Sequence, residues 1–259
     1  MFELKPKKII GGVSYLSLPE NQKFDEKKYI GLRKKEGRIY TDDELRSLPE
    51  IDPAHKLKQE WAVRKQTMFK LIRHISKEQK QLILEIGCGN GWLSNAVSEK
   101  TGNYIIALDL NQFELRQGAE VFKNNERLKF VYGNIFENIF PVGIFDSVIL
   151  ASVIQYFHDL NQLIERIFYF LKPKGKIYIA DSNFYKEDKL QSAITRTENY
   201  YCNLGLPEMS GFYHHHSWKE LTGFDYSVCN RTAIVVSKII EKVSGRGKTV
   251  FPFVVISKS

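Results

Sequence analysis

Cysteine is scarce in this chain of 259 residues, which contains three. Cys88, Cys202 and Cys229 are far apart, lack metal-ligand spacing and are too few for a disulfide framework. Long apolar runs are lacking as well: the longest, at 148–154, falls far short of the roughly 20 residues that a membrane-spanning helix needs. The first residues lack the apolar segment of a signal peptide. These absences predict a soluble, cytoplasmic protein without a membrane partner.

Acidic residues are fewer than basic ones, and the formal net charge is +8. The excess lies in the N-terminal third: residues 1–81 hold 19 Lys and Arg against 12 Asp and Glu, and residues 82–259 hold 19 against 18. A solvated basic face, an acidic small-molecule partner and a nucleic-acid backbone all agree with this distribution. Composition alone leaves the three alternatives open.

The chain changes character near residue 80, which predicts an N-terminal extension over residues 1–80 and a main domain over 81–259. In the extension, Thr41 has capping-box spacing to Glu44. Asp52 followed by Pro53 predicts the start of a helix that runs from about 53 to 75. An arginine, Arg64, interrupts the apolar stripe of this helix. Either its head reaches along the stripe to water, or it points into a site and meets an anionic group such as a ligand carboxylate.

After residue 80, apolar runs typical of strands buried in a parallel sheet alternate with helical patterns. The predicted strands are 81–87, 103–109, 128–134, 145–152 and 175–181. Helix starts are marked by Asn111 with Glu114 and by Asp159 with Gln162. Residues 225–230 and 249–257 are expected as two final strands at an antiparallel edge, and 233–243 fits a helix or a strand. The pattern predicts a doubly wound α/β sheet.

A glycine-rich loop, LEIGCGNGWL at 84–93, follows the first of these strands. In such sheets the carboxyl ends of the strands carry the ligand. The spacing is GxGxG, whereas a dinucleotide site needs GxGxxG, so a pyrophosphate is disfavoured. The second strand ends at Asp109, which can accept hydrogen bonds from ribose hydroxyls. A nucleoside without a required diphosphate therefore suits the loop and this acid.

With these residues, the stretch from Leu82 to Asp181 resembles the class I S-adenosylmethionine-dependent methyltransferases, in particular the small-molecule branch. The resemblance implies a seven-stranded, mostly parallel sheet with an antiparallel final strand, and S-adenosyl-L-methionine as cofactor with S-adenosyl-L-homocysteine as product. By that resemblance the loop holds the methionine part, Asp109 the ribose and Leu110 the adenine. The matching loop residues are Glu85, Gly87, Cys88, Gly89 and Gly91. We expect Cys88 to pack in the loop and not to act as a nucleophile.

The resemblance also assigns residues after the third and fourth strands. Asn134 and Ile135 stand where the family usually has an acid that contacts the adenine amino group, and Asn134 can accept through its amide oxygen. Ala151 and Ser152 are expected at the methyl-donor end, with Gln155 beside them.

Two segments are expected to cover the acceptor: the N-terminal extension, as a lid, and an insert at about 182–216. That insert ends in three consecutive histidines, which cannot all face one metal ion, so no metal is predicted. His214 and His215, and separately His158, are candidate general bases, with surface or helix-flanking histidines as the alternative.

The leading hypothesis is methyl transfer to an oxygen or nitrogen atom of a small molecule in a metabolite, natural-product or glycan pathway. An acidic acceptor is one alternative for that molecule. RNA is the second hypothesis for the substrate, motivated by the basic N-terminal third. The third is a catalytically inactive cofactor-binding protein of the same fold. The sequence leaves monomer and homodimer open.

Overall fold

A central sheet organises the molecule, for which a computed structural model describes residues 4–75, 80–244 and 250–258. Within these residues the sheet has nine strands, in the order β1-β2-β5-β4-β3-β6-β7-β11-β10, and β8 and β9 form a separate pair. The strands are β1 Lys8–Ile10, β2 Val13–Tyr15, β3 Leu82–Ile86, β4 Tyr104–Asp109, β5 Leu128–Tyr132, β6 Phe145–Ala151, β7 Leu171–Ala180, β8 Phe184–Tyr185, β9 His216–Ser217, β10 Asp225–Val228 and β11 Val254–Ser257.

Helices cover both faces of the sheet. They are α1 Glu26–Glu36, α2 Asp42–Ser47, α3 Lys58–Ile75, α4 Trp92–Thr101, α5 Gln112–Val121, α6 Leu160–Phe170, α7 Glu187–Asn203 and α8 Arg231–Ser244. Short 3-10 turns occupy Pro19–Asn21, Ile154–Tyr156, Pro207–Phe212 and Trp218–Leu221. None of the helices in the described ranges is both long and apolar enough to span a bilayer.

The predicted doubly wound α/β fold is confirmed, because β2 to β7 pair in parallel and β11 pairs antiparallel with β7 and β10. Neighbouring residues of β3 point to opposite faces, so Ile83 and Leu84 enter two different hydrophobic cores. Both are fully buried. Full burial of such a side chain contributes about 1.5–3 kcal/mol, which explains why these strands are apolar throughout.

The prediction of seven strands was too low, because the N-terminal extension adds a hairpin to the sheet. β1 and β2 are joined by Gly11 and Gly12, whose φ angles are 55° and 76°, and β2 pairs in parallel with β5. A Gly-Gly pair is a signal for a two-residue hairpin, but strands of three residues are too short to show periodicity. The extension was predicted to be largely helical, and its longer elements are indeed the helices α1, α2 and α3, to which this hairpin is added.

The helix predicted from about 53 begins at Lys58 instead, although its end at Ile75 agrees with the prediction. Asp52 does act as a cap, but of a turn: its Oδ1 accepts from the Ala54 N–H over 2.7 Å. A second turn then closes between the His55 carbonyl and the Lys58 N–H. The preference of Asp-Pro for a helix start is equally a preference for such turns.

The other local signals agree with the structure. Thr41 forms the predicted capping box, and Asn111 and Asp159 cap α5 and α6. The ambiguous segment 233–243 lies in helix α8. Of the last predicted strand, 249–257, residue 249 lies outside the described ranges and β11 occupies its end.

The strand order reverses between β3 and β6, so the crevice beyond their carboxyl ends is the expected ligand site of this architecture. Two helices from outside the sheet cover it. α1 and α7 meet in a small third hydrophobic cluster formed by Leu32, Tyr201 and Met209. Lys35 Nζ adds a hydrogen bond to the Leu204 carbonyl over 2.7 Å.

Candidate active site

The glycine loop between β3 and α4 has backbone angles that residues with a Cβ adopt only with strain. Gly87, Gly89 and Gly91 have φ angles of 71°, 56° and 72°. A Cβ at Gly87 would lie 2.1 Å from Val153 Cγ2, and one at Gly91 would lie 2.4 Å from Phe130 Cε1. The glycines therefore let the loop pack tightly while it borders the cavity.

Asp109 ends β4 and shapes this loop. Its Oδ2 accepts from the Gly89 N–H over 2.7 Å, and its Oδ1 accepts from the N–H groups of Leu110 and Asn111 over 2.7 and 2.8 Å. Burial raises the pKa of Asp109, and the three N–H donors partly offset that effect. Asp109 and Leu110 both line the cavity.

Two more carboxylates lie beside the loop. Ser94 Oγ donates to Glu85, which is 3% exposed, and burial raises the pKa of Glu85 to about 7. Burial likewise raises the pKa of Glu114 to about 7. From the sequence, Glu114 was expected only as the capping partner of Asn111, because nothing in the sequence indicates that it lies beside Gly89. In the structure Glu114 Oε2 would be 3.4 Å from a Cβ at Gly89.

The loop after β5 is tied to the N-terminal extension. Asn134 Nδ2 donates to Gln22 Oε1 over 2.8 Å, and Asn134 Oδ1 accepts from the Phe136 N–H over 3.0 Å. Asn134 and Ile135 line the cavity as expected. The side-chain amide of Asn134 already has protein partners, so any contact with an adenine amino group must use the second lone pair of Oδ1.

Arg64 lies in the cavity wall, which favours the second of the two sequence interpretations. Its side chain is 17% exposed, and its Nε pairs with Glu60 over 2.9 Å. Its Nη2 donates to Ser152 Oγ over a long 3.4 Å. Burial alone would raise the pKa of Glu60, but Arg38 and Arg64 outweigh it and hold that pKa at about 2.

The carboxyl ends of β6 and β7 meet beside Arg64. Ala151 and Ser152 line the cavity, and so do Asp181 and Ser182. Thr67 Oγ1 donates to Asp181 Oδ1 over 2.7 Å, and burial raises the pKa of Asp181. Sequence reasoning used Asp181 only to mark the end of a strand, since its neighbours come from residues far away in the chain.

The structure separates the candidate histidines. His214 lines the cavity, whereas His158 and His215 are not among the lining residues. His158 is exposed, and its ring lies 5.1 Å from that of His214. His215 Nε2 is 2.9 Å from Thr197 Oγ1. Burial lowers the pKa of both His214 and His215, which keeps them neutral near pH 7.

His216, which sequence reasoning did not single out, is the most buried histidine of the three. Its Nδ1 lies 2.9 Å from Glu220 Oε2 and its Nε2 lies 2.9 Å from the Ile154 carbonyl. Burial alone would lower the pKa of His216, but these partners raise it. No grouping of three His, Cys, Asp or Glu side chains suited to a metal ion occurs among the residues described.

The lining residues named above surround a cavity of about 1510 Å³. Its floor is the glycine loop with the ends of β4, β6 and β7, and its roof is formed by α1, α7 and the turn at Pro207–Phe212. Tyrosines dominate the roof: Tyr156 lies 6.1 Å from Tyr29 and 6.4 Å from Tyr213. Arg33 stacks on Tyr29 at 5.2 Å and pairs with Glu36 over 3.4 Å.

The carboxylates of the cavity floor fit S-adenosylmethionine, which carries a sulfonium cation, an amino group and a ribose. Buried carboxylates attract positive charge and accept hydrogen bonds from hydroxyls. The carboxylates that line the cavity beside the glycine loop are Glu85, Asp109 and Glu114. Cys88 is buried in the loop and burial raises its pKa well above the usual value, so its thiol stays protonated.

Methyltransferases are among the known proteins with a similar sequence or fold. A family model described as a methyltransferase domain matches residues 77–230. A sterol 24-C-methyltransferase of Gibberella zeae is 28% identical over 108 residues, which cover 40% of this chain and 28% of that protein. A demethylmenaquinone methyltransferase of Listeria welshimeri is 28% identical over 132 residues, covering 49% of this chain and 53% of that protein.

The fold is shared with a solved structure of geranyl diphosphate C-methyltransferase from Streptomyces coelicolor, in complex with Mg²⁺, geranyl-S-thiolodiphosphate and S-adenosyl-L-homocysteine. The TM-score is 0.55 at 14% identity, over 80% of this chain and 81% of that one. The chain spans 28% and 53% of the lengths of the two curated relatives above. Because the family model covers more than half of the 259 residues, this chain belongs to the methyltransferase-domain family.

Proposed function

We propose that this protein binds S-adenosyl-L-methionine and transfers its methyl group to a small-molecule acceptor, leaving S-adenosyl-L-homocysteine. The observation that carries the proposal is the junction of the glycine loop with Asp109, which lies at the floor of a covered cavity. A nucleoside that is held there has its ribose beside a carboxylate and the rest of its length along the cavity.

The chain offers a partner for each part of this cofactor. Asp109 accepts from the ribose hydroxyls, Leu110 and Ile135 pack on the adenine, and the loop borders the methionine part. Arg64 binds the methionine carboxylate in place of its long hydrogen bond to Ser152. When bound, the cofactor supplies an electrophilic methyl group on a cationic sulfur.

The residues of the chain then orient the acceptor and exclude water. Attack on a methyl group needs little covalent help, so alignment of the two reacting groups supplies much of the rate. The paired helices α1 and α7 are proposed as the covers that keep this step dry. Both predicted cover segments, residues 1–80 and about 182–216, contribute to them.

A small molecule is proposed as the acceptor because the cavity is large and lies beneath α1 and α7. Its volume of about 1510 Å³ exceeds the roughly 300–1,000 Å³ of typical small-molecule sites, which leaves room for an acceptor beside the cofactor. The names of the relatives, which refer to a sterol, demethylmenaquinone and geranyl diphosphate, support this substrate class. Arginines in the wall agree with an acidic acceptor; they are Arg33, Arg38, Arg64 and Arg196.

The three free thiols support a reducing compartment, and we therefore propose the cytoplasm as the site of action. Among the histidines, His214 is the candidate base that lines the cavity.

A methyl-transfer assay tests the proposed function. Purified protein is incubated with S-adenosyl-L-methionine labelled in its methyl group and either a panel of small-molecule hydroxyl and amine compounds or RNA. Formation of S-adenosyl-L-homocysteine and transfer of the label to the acceptor are followed. We expect acceptor-dependent formation of that product. Transfer to RNA with no transfer to any small molecule would contradict the proposed substrate class, and binding of the cofactor without any turnover would favour the inactive-protein hypothesis.

A further inference from the structure

A hydroxyl group without a partner lies in the cavity wall. Ser182 follows β7, is 4% exposed and lines the cavity. Its Oγ has no hydrogen-bond partner in the part of the chain that the structure describes. Buried hydroxyls in native proteins are nearly always paired, so this one is available to a ligand that enters the cavity.

The carboxylate next to it is anchored on one side only. Thr67 Oγ1 donates to Asp181 Oδ1 over 2.7 Å, which fixes the side chain and leaves Oδ2 for a second partner. Asp181 is 8% exposed and also lines the cavity. The charged groups that act on it are Arg64, Glu60 and Lys70, all on α3.

The backbone at this point is held in a costly conformation. Ser152 and Asp181 have φ angles of 58° and 50°, in the left-handed region that non-glycine residues seldom adopt. The Ser152 N–H donates to the Ala180 carbonyl over 2.9 Å, and Ser152 Oγ donates to the Asp181 carbonyl over 3.2 Å. These bonds tie the ends of β6 and β7 together and set Asp181 and Ser182 next to Ser152.

We propose that Asp181 and Ser182 bind the reacting hydroxyl group of an alcohol or phenol acceptor, with Asp181 as its general base. The inference rests on the proposed function and on the methyl-donor end of the cofactor lying beside Ala151 and Ser152, as the family resemblance implies. It assigns the base to a residue outside the histidine segment. It also narrows the acceptor atom from oxygen or nitrogen to oxygen.

The choice of oxygen follows from the count of lone pairs. A hydroxyl has one hydrogen to donate to Asp181 and two lone pairs, so it accepts from Ser182 with one pair and attacks with the other. A neutral amine has a single lone pair, which the attack requires. With an amine acceptor, Ser182 Oγ could still accept from an N–H, but the hydrogen of the Ser182 hydroxyl would find no lone pair on the acceptor and would stay buried without a partner.

The step balances in atoms and charge. The proton of the acceptor hydroxyl passes to Asp181 Oδ2 while an oxygen lone pair forms the new bond to the methyl carbon. The electron pair of the broken methyl–sulfur bond stays on sulfur, which becomes a neutral thioether. Asp181 then releases its proton to solvent when the product leaves. The rate is expected to rise with pH as Asp181 ionises, at a pH above the usual range for aspartate because burial raises its pKa.

The experiment compares Asp181→Asn, Ser182→Ala and His214→Ala with the wild type and with Asp188→Asn, an exposed control on α7. Asparagine is the conservative choice because it tolerates a positive φ and keeps an oxygen for Thr67. The matched probes are catechol against 1,2-phenylenediamine and 4-hydroxybenzoate against 4-aminobenzoate. Affinity for S-adenosyl-L-homocysteine is measured by calorimetry for every variant, so that loss of the cofactor site is recognised separately.

We expect the wild type to methylate the hydroxyl member of at least one pair. Asp181→Asn should lower kcat at least 100-fold, leave the affinity for S-adenosyl-L-homocysteine unchanged and remove the rising limb of the pH profile. Ser182→Ala should lower kcat/KM about tenfold. His214→Ala should keep the limb. Preferred transfer to the amine members, or a wild-type pH profile in Asp181→Asn, would overturn the inference while leaving the proposed function intact; failure of the wild type to bind the cofactor would remove both.

The melting temperature gives a readout that needs no acceptor. Because the Ser182 hydroxyl has no partner, Ser182→Ala should melt at the wild-type temperature or above it. A fall of several degrees would show that the hydroxyl stabilises the fold, and this result would overturn the role assigned to Ser182.

Discussion

Replacement of Asp109 is the most informative change in the proposed cofactor site, because its carboxylate accepts from backbone N–H groups of the fold and is also proposed to accept from the ribose. It accepts hydrogen bonds from three backbone N–H groups, with N···O distances of 2.7, 2.7 and 2.8 Å. Asp109→Ala leaves those donors without an acceptor. Loss of a partner costs about 1–3 kcal/mol for a buried donor, and the half-buried position of Asp109 allows water to replace part of this. We expect a loss of roughly 2–4 kcal/mol in the free energy of unfolding.

Asp109→Asn separates the two roles. Its amide oxygen can still accept from the N–H groups of Leu110 and Asn111, while its amide nitrogen faces the Gly89 N–H, where two donors repel. The free energy of unfolding should therefore fall by only about 1 kcal/mol. Hydrogen bonds to a charged group contribute about 1.5–3 kcal/mol, so affinity for S-adenosyl-L-homocysteine should fall roughly 10- to 150-fold in both variants.

Urea unfolding followed by circular dichroism measures the first quantity, and titration calorimetry at 25 °C measures the second. Asp225→Asn, at an exposed position of β10, is the control and should change neither. Wild-type affinity in a folded Asp109→Ala protein would refute the assignment, because the ribose would then be held elsewhere.

Three further changes test other parts of the site. Gly87→Ala should destabilise the fold by about 2–5 kcal/mol, which is the cost of an alanine in the left-handed region plus the cost of overpacking against Val153. In urea unfolding, adding Val153→Ala should restore only the packing part. A Gly87→Ala protein of wild-type stability would contradict the close approach of the Gly87 backbone to Val153. Glu85, whose pKa is raised from 4.5 to about 7, holds a proton in the folded state that the unfolded state has lost, so stability falls by about 3 kcal/mol as pH rises from 4.5 to 7; Glu85→Gln should flatten that slope in melting curves, and an unchanged slope would show that Glu85 does not cause it. Arg64→Gln should weaken binding of S-adenosyl-L-homocysteine by about 1.5–3 kcal/mol and leave that of 5′-methylthioadenosine, which lacks the carboxylate, unchanged; equal losses for both ligands in calorimetry would exclude a carboxylate contact.

Signals that act between near neighbours in the chain predicted the structure well. The caps at Thr41, Asn111 and Asp159 need only the residue three positions on, and the buried strands follow from apolar composition. The β1-β2 hairpin was missed, although Gly11 and Gly12 carried its signal, because three residues are too few for a period of two to be visible.

The floor of the candidate site was predictable from spacing, whereas its walls were not. Asp109 directly follows a buried run, and its contact with the Gly89 loop follows from the parallel pairing of β3 and β4. Ser182 beside Ser152, and Arg33 beneath Tyr29 in the roof, depend on how β7 and α1 pack in space. The same limit explains why three adjacent histidines drew attention although only His214 lines the cavity.

Titration of the wild-type protein with S-adenosyl-L-homocysteine by calorimetry shows whether the chain has the proposed cofactor site. We expect saturable binding at one site per chain, with S-adenosyl-L-methionine competing for the same site and NAD producing no heat of binding. Absence of binding of either ligand, in protein shown by circular dichroism to be folded, would contradict it.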